Sequence, residues 1–212
     1  MMESVAFMTF STIEGFGIFA LMMTIFKINP LSYFWQAMFV ILLMSLQSYL
    51  LRSELSLYYL APITNIMLFI FFVATVVKEP LVGAAVITLI GYSAFSLLQT
   101  MIVTIVFDSI IESQSVLIYG YALQTSSAIT IALVAWLLYK LGIGFTWSFE
   151  KVRFKREDLI VSSTIFVVLI FFTIILYRNE IWSNILFFST TLSFFLYYAV
   201  RKEKKDYDPF DG

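Results

Sequence analysis

The chain of 212 residues is 61% hydrophobic and 13% charged, and its mean hydropathy is +0.93. Soluble domains average about 45–50% apolar and about 25% charged residues, so the composition excludes a water-soluble globular protein. The net charge of -1 gives no electrostatic basis for nucleic-acid binding. Cysteine and histidine are both absent, which excludes thiolate metal sites, cysteine nucleophiles and the usual general base near neutral pH.

Seven stretches are long and apolar enough to cross a bilayer as helices, because about 20 residues span a hydrocarbon core of about 30 Å. In chain order the predicted spans are residues 5–26, 31–51, 55–77, 81–107, 116–139, 159–177 and 181–200. Pro30 and Pro80 stand at the starts of spans, where proline is tolerated, whereas Pro62 lies inside the third span and predicts a bend. The sequence therefore predicts an all-α, polytopic membrane domain over residues 1–200. Residues 201–212 are expected to form a short charged cytoplasmic tail without folded structure.

The distribution of basic residues predicts how the chain threads the membrane. Seven spans leave only Arg52 and Arg178 on the side of the N-terminus, and they place the other 11 of the 13 basic residues on the opposite side. These eleven are Lys27, Lys78, Lys140, Lys151, Arg153, Lys155, Arg156, Arg201, Lys202, Lys204 and Lys205. Cytoplasmic loops carry an excess of Lys and Arg, so we expect an outside N-terminus and a cytoplasmic C-terminus. The short loops and compact size favour a bacterial plasma membrane.

The longest predicted loop runs from Lys140 to Asp158 and alternates charged and apolar residues. Its basic residues are Lys151, Arg153, Lys155 and Arg156. They could anchor the loop on the anionic inner leaflet. They could also form a docking site for a cytoplasmic protein partner, and the sequence leaves both interpretations open.

Glu14 lies near the middle of the first span, beside Gly15 and Gly17. A carboxylate at this depth costs on the order of 3 kcal/mol or more, so the side chain should face the bundle interior. It could be a proton or cation site, or a contact for a ligand. It could instead make a structural hydrogen bond to Asn65 or to a glutamine. The two glycines would let another helix or a ligand approach closely.

Polar side chains recur on single faces of the predicted spans. The fourth span places Thr88, Tyr92, Ser96 and Gln99 on one face, and the fifth does the same with Tyr121, Gln124 and Ser127. Such faces must find partners or water inside the bundle, and ordinary interhelical packing would satisfy them.

A sharper hypothesis is a cavity open to the outside, with apolar walls and a few convergent polar groups that suit a small amphiphile. The candidate ligand-binding or coupling residues are Glu14, Gln47, Asn65, Tyr92, Gln99 and Gln124.

The motifs of common enzyme classes are missing from the sequence. There is no Gly-rich phosphate loop, no HExxH motif and no Gly-Xaa-Gly-Asp pattern, and the few acidic residues are too scattered for a carboxylate pair. We therefore expect no catalytic residues, no metal and no cofactor, and an enzyme is not expected.

The spans are joined by short loops and are similar in general character to those of one receptor family. An example is Leu89-Ile-Gly-Tyr-Ser-Ala-Phe-Ser-Leu-Leu-Gln99. Together with the predicted layout, the spans resemble the membrane sensor half of Gram-positive peptide-pheromone receptor histidine kinases of the accessory gene regulator type. The resemblance implies a receptor for an external signal. The chain ends twelve residues after the last predicted span, without a dimerisation helix or kinase module, so we expect a stand-alone sensor, an accessory protein or a truncated part of a longer receptor.

Three functions are consistent with these patterns. The first is a non-enzymatic sensor or accessory subunit that binds an external or membrane-borne ligand and signals through a protein partner. The second is a small transporter or permease subunit with Glu14 as the coupling site, which at this size would be expected to form a homo-oligomer because no internal repeat is visible. The third is a structural scaffold of a membrane complex. Membrane lipids are partners in each case.

Overall fold

A computed structural model of the protein describes residues 2–54, 57–106, 117–146, 167, 174 and 181–207. The described residues form helices and the connections between them, and no strand occurs among them. The predicted all-α class is therefore confirmed for this part of the chain.

The described residues include six long helices. They are α1 (Met2–Ile25), α2 (Phe34–Tyr49), α3 (Ala61–Phe72), α4 (Leu81–Val106), α5 (Leu117–Leu141) and α6 (Ile181–Tyr207). Shorter turns extend two of them: 3₁₀ turns at Pro30–Tyr33 and Tyr58–Leu60 precede α2 and α3, and π-helical turns at Leu50–Glu54 and Val73–Val77 follow them.

Within the described part of the chain, five segments are long and apolar enough to cross a membrane, which agrees with a multi-pass membrane protein. They are Ser4–Ile25, Pro30–Arg52, Tyr58–Val77, Leu81–Ile105 and Gly120–Leu141, and they coincide with the first five predicted spans. The apolar part of α6, Ile185–Tyr197, is shorter than a full span. The predicted sixth span lies outside the described residues except for Val167 and Ile174. The count of seven spans and their sidedness therefore stay predictions.

Two local expectations are wrong. Residues 201–207 were expected to lack structure, yet they continue α6 to Tyr207. Lys, Arg and Glu are good helix formers, and basic side chains at a helix C-terminus interact favourably with the helix dipole. Pro62 was expected to bend the third span, yet it lies in the first turn of α3, where its missing N–H leaves no bond unmade.

The centre of the bundle is α4, which contacts α1, α3, α5 and α6. Of its apolar span, 67% is buried inside the molecule, against 33% or less for the other four. Large apolar side chains on the outer faces, among them Trp35, Phe71, Ile105 and Trp136, are more than half exposed. A lipid bilayer is the solvent that accepts such a surface.

Helix α1 approaches both α2 and α4 closely at glycines. A Cβ built on Gly15 would lie 2.7 Å from Cγ2 of Ile41 in α2. A Cβ built on Gly91 would overlap the side chain of Met22 in α1 and would lie 3.0 Å from its backbone Cα. The missing side chains thus permit the contacts that order these three helices, as small residues do in membrane bundles.

The C-terminal ends of α1 and α5 meet at one end of the bundle. Just after these helices, Lys27 (φ 52°) and Gly142 (φ 65°) adopt the left-handed conformation that ends a helix. The backbone N–H of Phe145 then donates to the carbonyl of Ile25 at 2.7 Å. This bond fixes the chain after α5 against the end of α1.

Replacing Gly91 by alanine is expected to lower the thermal stability of the purified protein in detergent, because the added methyl group overlaps Met22. Overpacking costs about 1–3 kcal/mol, which exceeds the gain of about 1 kcal/mol that alanine has over glycine in a helix. Gly120→Ala is the matched control, since no atom lies within 4 Å of its Cβ position. If the two variants were equally stable, the close contact between α1 and α4 would not be what holds the bundle together.

Candidate functional site

A cavity of about 260 Å³ opens at the end of the bundle where α1 begins and α2 ends. All six helices contribute to its wall, which mixes apolar side chains with hydroxyl, amide and charged groups. The deepest wall residues are Ile18, Ile41 and Tyr92, which are buried. Arg52 and Phe7 line it near the end of the bundle.

Glu14 is held by donors from two other helices. Its Oε1 accepts a hydrogen bond from Nε2 of Gln99 in α4 at 3.0 Å, and another from Oγ of Ser127 in α5 at 2.8 Å. Glu14 is twelve residues from the start of α1, so it lies about 18 Å along the helix, near its middle. A carboxylate at this depth needs such partners, and here they join α1, α4 and α5.

A second polar cluster joins α2 to α3. The amide Nδ2 of Asn65 donates to Oγ of Ser48 at 3.1 Å, and the amide of Gln47 donates to Oγ1 of Thr64. Ser48 and Asn65 line the cavity, as Glu14 and Gln99 do, so both clusters border it.

The described part of the cavity wall contains one acidic and one basic residue, Glu14 and Arg52. Arg52 lies in the π-helical turn after α2, and its guanidinium lies 5.9 Å from the ring centroid of Phe7. The cavity thus has a carboxyl group at depth and a cation nearer its mouth.

Gln124 contributes an unused acceptor to the cavity. It lines the wall one turn before Ser127, and its Oε1 is buried without a hydrogen-bond partner in the described part of the chain. A buried acceptor left unpaired costs about 1–3 kcal/mol. A ligand with an N–H or O–H group would recover this cost.

The structure brings most of the predicted site residues together. Five of the six line the cavity, namely Glu14, Asn65, Tyr92, Gln99 and Gln124. Gln47 instead contacts Thr64 at the interface of α2 and α3. Of the partners anticipated for Glu14, a glutamine is present as Gln99, and Asn65 pairs with Ser48 instead. The docking candidates Lys151, Arg153, Lys155 and Arg156 lie outside the described residues. A binding role for any of these residues stays a prediction.

Sequence reasoning missed two residues of the cavity region. Ser127 was on the predicted polar face of the fifth span but was not assigned to the site, although it makes the shorter of the two bonds to Glu14. Arg52 was treated only as an exception to the charge asymmetry. A basic residue on the sparsely charged side of a membrane protein was itself a signal that it has a specific partner.

Comparison with protein-family models, with curated proteins and with solved structures found no match. The similarity to receptor-kinase sensor domains therefore stays a prediction.

Replacing Ser127 by alanine is expected to lower the free energy of unfolding by about 1 kcal/mol, because hydrogen bonds between membrane helices contribute about 0.6 kcal/mol on average and up to about 1.7. Denaturant unfolding in mixed micelles measures the change. Ser126→Ala is the matched control, since Oγ of Ser126 bonds only within α5, to the carbonyl of Leu123.

A double-mutant cycle with Glu14→Met isolates the pair, because methionine removes the oxygen that accepts from Ser127, and the two effects are then not additive if the bond exists. Equal stability of the two serine variants, or strictly additive effects in the cycle, would contradict this account of how Glu14 is held.

Proposed function

We propose that the chain is a non-enzymatic membrane sensor or accessory subunit that binds a small external or membrane-borne ligand in the cavity around Glu14. The observation that carries the proposal is the combination of a partly open cavity with acceptors on its wall. Buried acceptors are normally paired, so Oε1 of Gln124 and the free side of the Glu14 carboxyl group favour a site built for a donor. Ligand sites typically join apolar walls to a few convergent polar groups of this kind.

The orientation that we propose for the chain in the membrane is based on the uneven distribution of its basic residues. With seven spans and an outside N-terminus, the cavity opens toward the exterior. The basic residues Lys151, Arg153, Lys155 and Arg156 then lie in the cytoplasm, where a protein partner would read the signal. The resemblance of the spans to the sensor half of Gram-positive receptor kinases favours a plasma membrane of that type.

Filling the cavity is expected to remove the ligand without unfolding the protein. No atom lies within 4 Å of a Cβ on Gly120, which lines the cavity, so the leucine of Gly120→Leu has room to enter it. Native mass spectrometry of protein purified in non-ionic detergent should detect a co-purified small molecule on the wild type and at least tenfold less on this variant.

Ala122→Leu is the control, because it adds the same side chain on the exposed face of α5. The proposal fails if Gly120→Leu retains the ligand as well as Ala122→Leu does. It also fails if the wild type carries no ligand and is stabilised by no member of a metabolite library.

The sidedness can be tested by cysteine labelling, since the chain contains no cysteine of its own. Tyr58 precedes α3 and Ile143 follows α5, and both are more than half exposed. A membrane-impermeant maleimide added to intact cells should label Tyr58→Cys, whereas Ile143→Cys should react only after permeabilisation. The reverse pattern would place the cavity on the cytoplasmic side.

Transport is the second candidate function, and the position of Glu14 favours it. A carboxyl group near the middle of α1, reached through a cavity from one end only, is the arrangement of a coupling site in an alternating-access carrier. Flux of a bound ligand into proteoliposomes that Glu14→Gln abolishes would favour transport over sensing. A purely structural scaffold would show neither ligand nor flux.

A further inference from the structure

The two charges of the cavity wall lie at different depths. Glu14 is near the middle of α1, and Arg52 is in the turn that ends α2. Because Gly15 contacts Ile41, the neighbouring Glu14 lies at about the same height as Ile41 along the axis of α2. Arg52 is eleven residues beyond Ile41, a rise of roughly 16 Å. A ligand in this cavity therefore meets a carboxyl group at its inner end and a guanidinium at its outer end.

The contacts of the two groups leave room for a molecule between them. Glu14 uses Oε1 for Gln99 and Ser127, so its Oε2 takes neither of these bonds. Arg52 rests on the ring of Phe7, and its long side chain can turn its guanidinium inward. Neither group is the partner shown for the other, since Glu14 bonds to Gln99 and Ser127 and Arg52 contacts Phe7.

We propose that the ligand of this cavity is a small zwitterion, with its cationic nitrogen at Glu14 and its anionic oxygen group at Arg52. This inference rests on the proposed binding function. Oε2 of Glu14 and the unpaired Oε1 of Gln124 are acceptors for the N–H groups of an ammonium. The guanidinium of Arg52 matches the geometry of a carboxylate or phosphate.

The size of the cavity limits the ligand to a small molecule or headgroup. Its volume of about 260 Å³ is below the range of about 300–1,000 Å³ typical of drug-sized ligands. A free amino acid and the phosphoethanolamine headgroup of a lipid share the required chemistry, with a cationic nitrogen and an anionic oxygen group a few bonds apart. Met44, one turn beyond Ile41 toward Arg52, and Val103, one turn beyond Gln99 in the same direction, supply apolar surface for the carbon chain between the charges.

Three matched probes test the need for both charges. ε-Aminocaproate carries both, hexylamine carries only the cation, and caproate carries only the anion. Isothermal titration of the wild type in non-ionic detergent should show ε-aminocaproate binding at least tenfold more tightly than either single-charge probe, because a hydrogen bond to a charged group is lost in each.

Two variants assign the charges to residues. In Arg52→Gln, ε-aminocaproate should bind no more tightly than hexylamine, and this exposed position is not required for folding of the core. In Glu14→Gln it should bind no more tightly than caproate. Lys140→Gln is the control, since Lys140 is exposed at the opposite end of the bundle, 5.0 Å from the ring centroid of Trp136. It should bind all probes as the wild type does.

The source of the zwitterion is distinguished in lipid nanodiscs. Native mass spectrometry that finds phosphatidylethanolamine retained by the wild type, but lost from Arg52→Gln, identifies a headgroup ligand. Binding of ε-aminocaproate that phosphatidylethanolamine does not compete with identifies a free molecule. Retention of phosphatidylglycerol at the same level would count against a zwitterion.

The inference is overturned if a single-charge probe binds as tightly as ε-aminocaproate, or if neither ε-aminocaproate nor phosphatidylethanolamine binds. Either result leaves the binding function standing, because that function is judged by the loss of the co-purified molecule from Gly120→Leu.

Discussion

The strongest constraint on the bundle is the need to pair one carboxyl group at the middle of a membrane helix. Glu14 lies near the middle of α1, where an isolated carboxylate costs several kcal/mol, and its two donors come from two different helices. The need to pair this group therefore constrains how α1, α4 and α5 sit against each other. Non-directional packing between apolar helices in lipid gives no comparable specificity, because lipid tails are as apolar as leucine.

Close approach and polar pairing act together around α1. Gly91 brings α4 against Met22, and Gly15 brings α2 against Ile41. Glu14 directly precedes Gly15 and lies eight residues before Met22 in α1. The glycines set the distances between helices, and the carboxyl group sets their rotation about their axes. A cavity remains between these glycine contacts and the end of the bundle where α1 begins. Its wall carries polar groups that the hydrogen bonds between helices leave partly unpaired.

The fold class followed directly from the sequence, because helical spans are dictated by backbone hydrogen bonding in a medium without water. The first five spans agree with the structure to within a few residues, since apolar runs are bounded by charges and prolines. Helix ends were less predictable. The π-helical turns after α2 and α3 have no marker in the sequence, and the charged segment after Val200 was taken for a tail although its residues are good helix formers.

The candidate site was predictable in composition but not in pairing. The cost of burying a carboxylate identified Glu14, and helical periodicity placed Tyr92 and Gln99 on one face. Periodicity gives the direction in which a side chain points from its own helix but not the helix opposite. For that reason Gln47 was included although it pairs with Thr64, and Arg52 was excluded although it lines the cavity.

One continuous helix joins the cavity wall to the charged end of α6. Phe188 lines the cavity, and α6 continues from it without interruption to Tyr207, about 28 Å further along the axis. A rigid rod of this length behaves as a lever. A tilt of about 5° with its pivot at Phe188 would move the basic end by roughly 2 Å, about half the spacing between adjacent turns. A small change in the tilt of α6 at the cavity wall would thus move its basic end by a distance that is large on the scale of side-chain contacts.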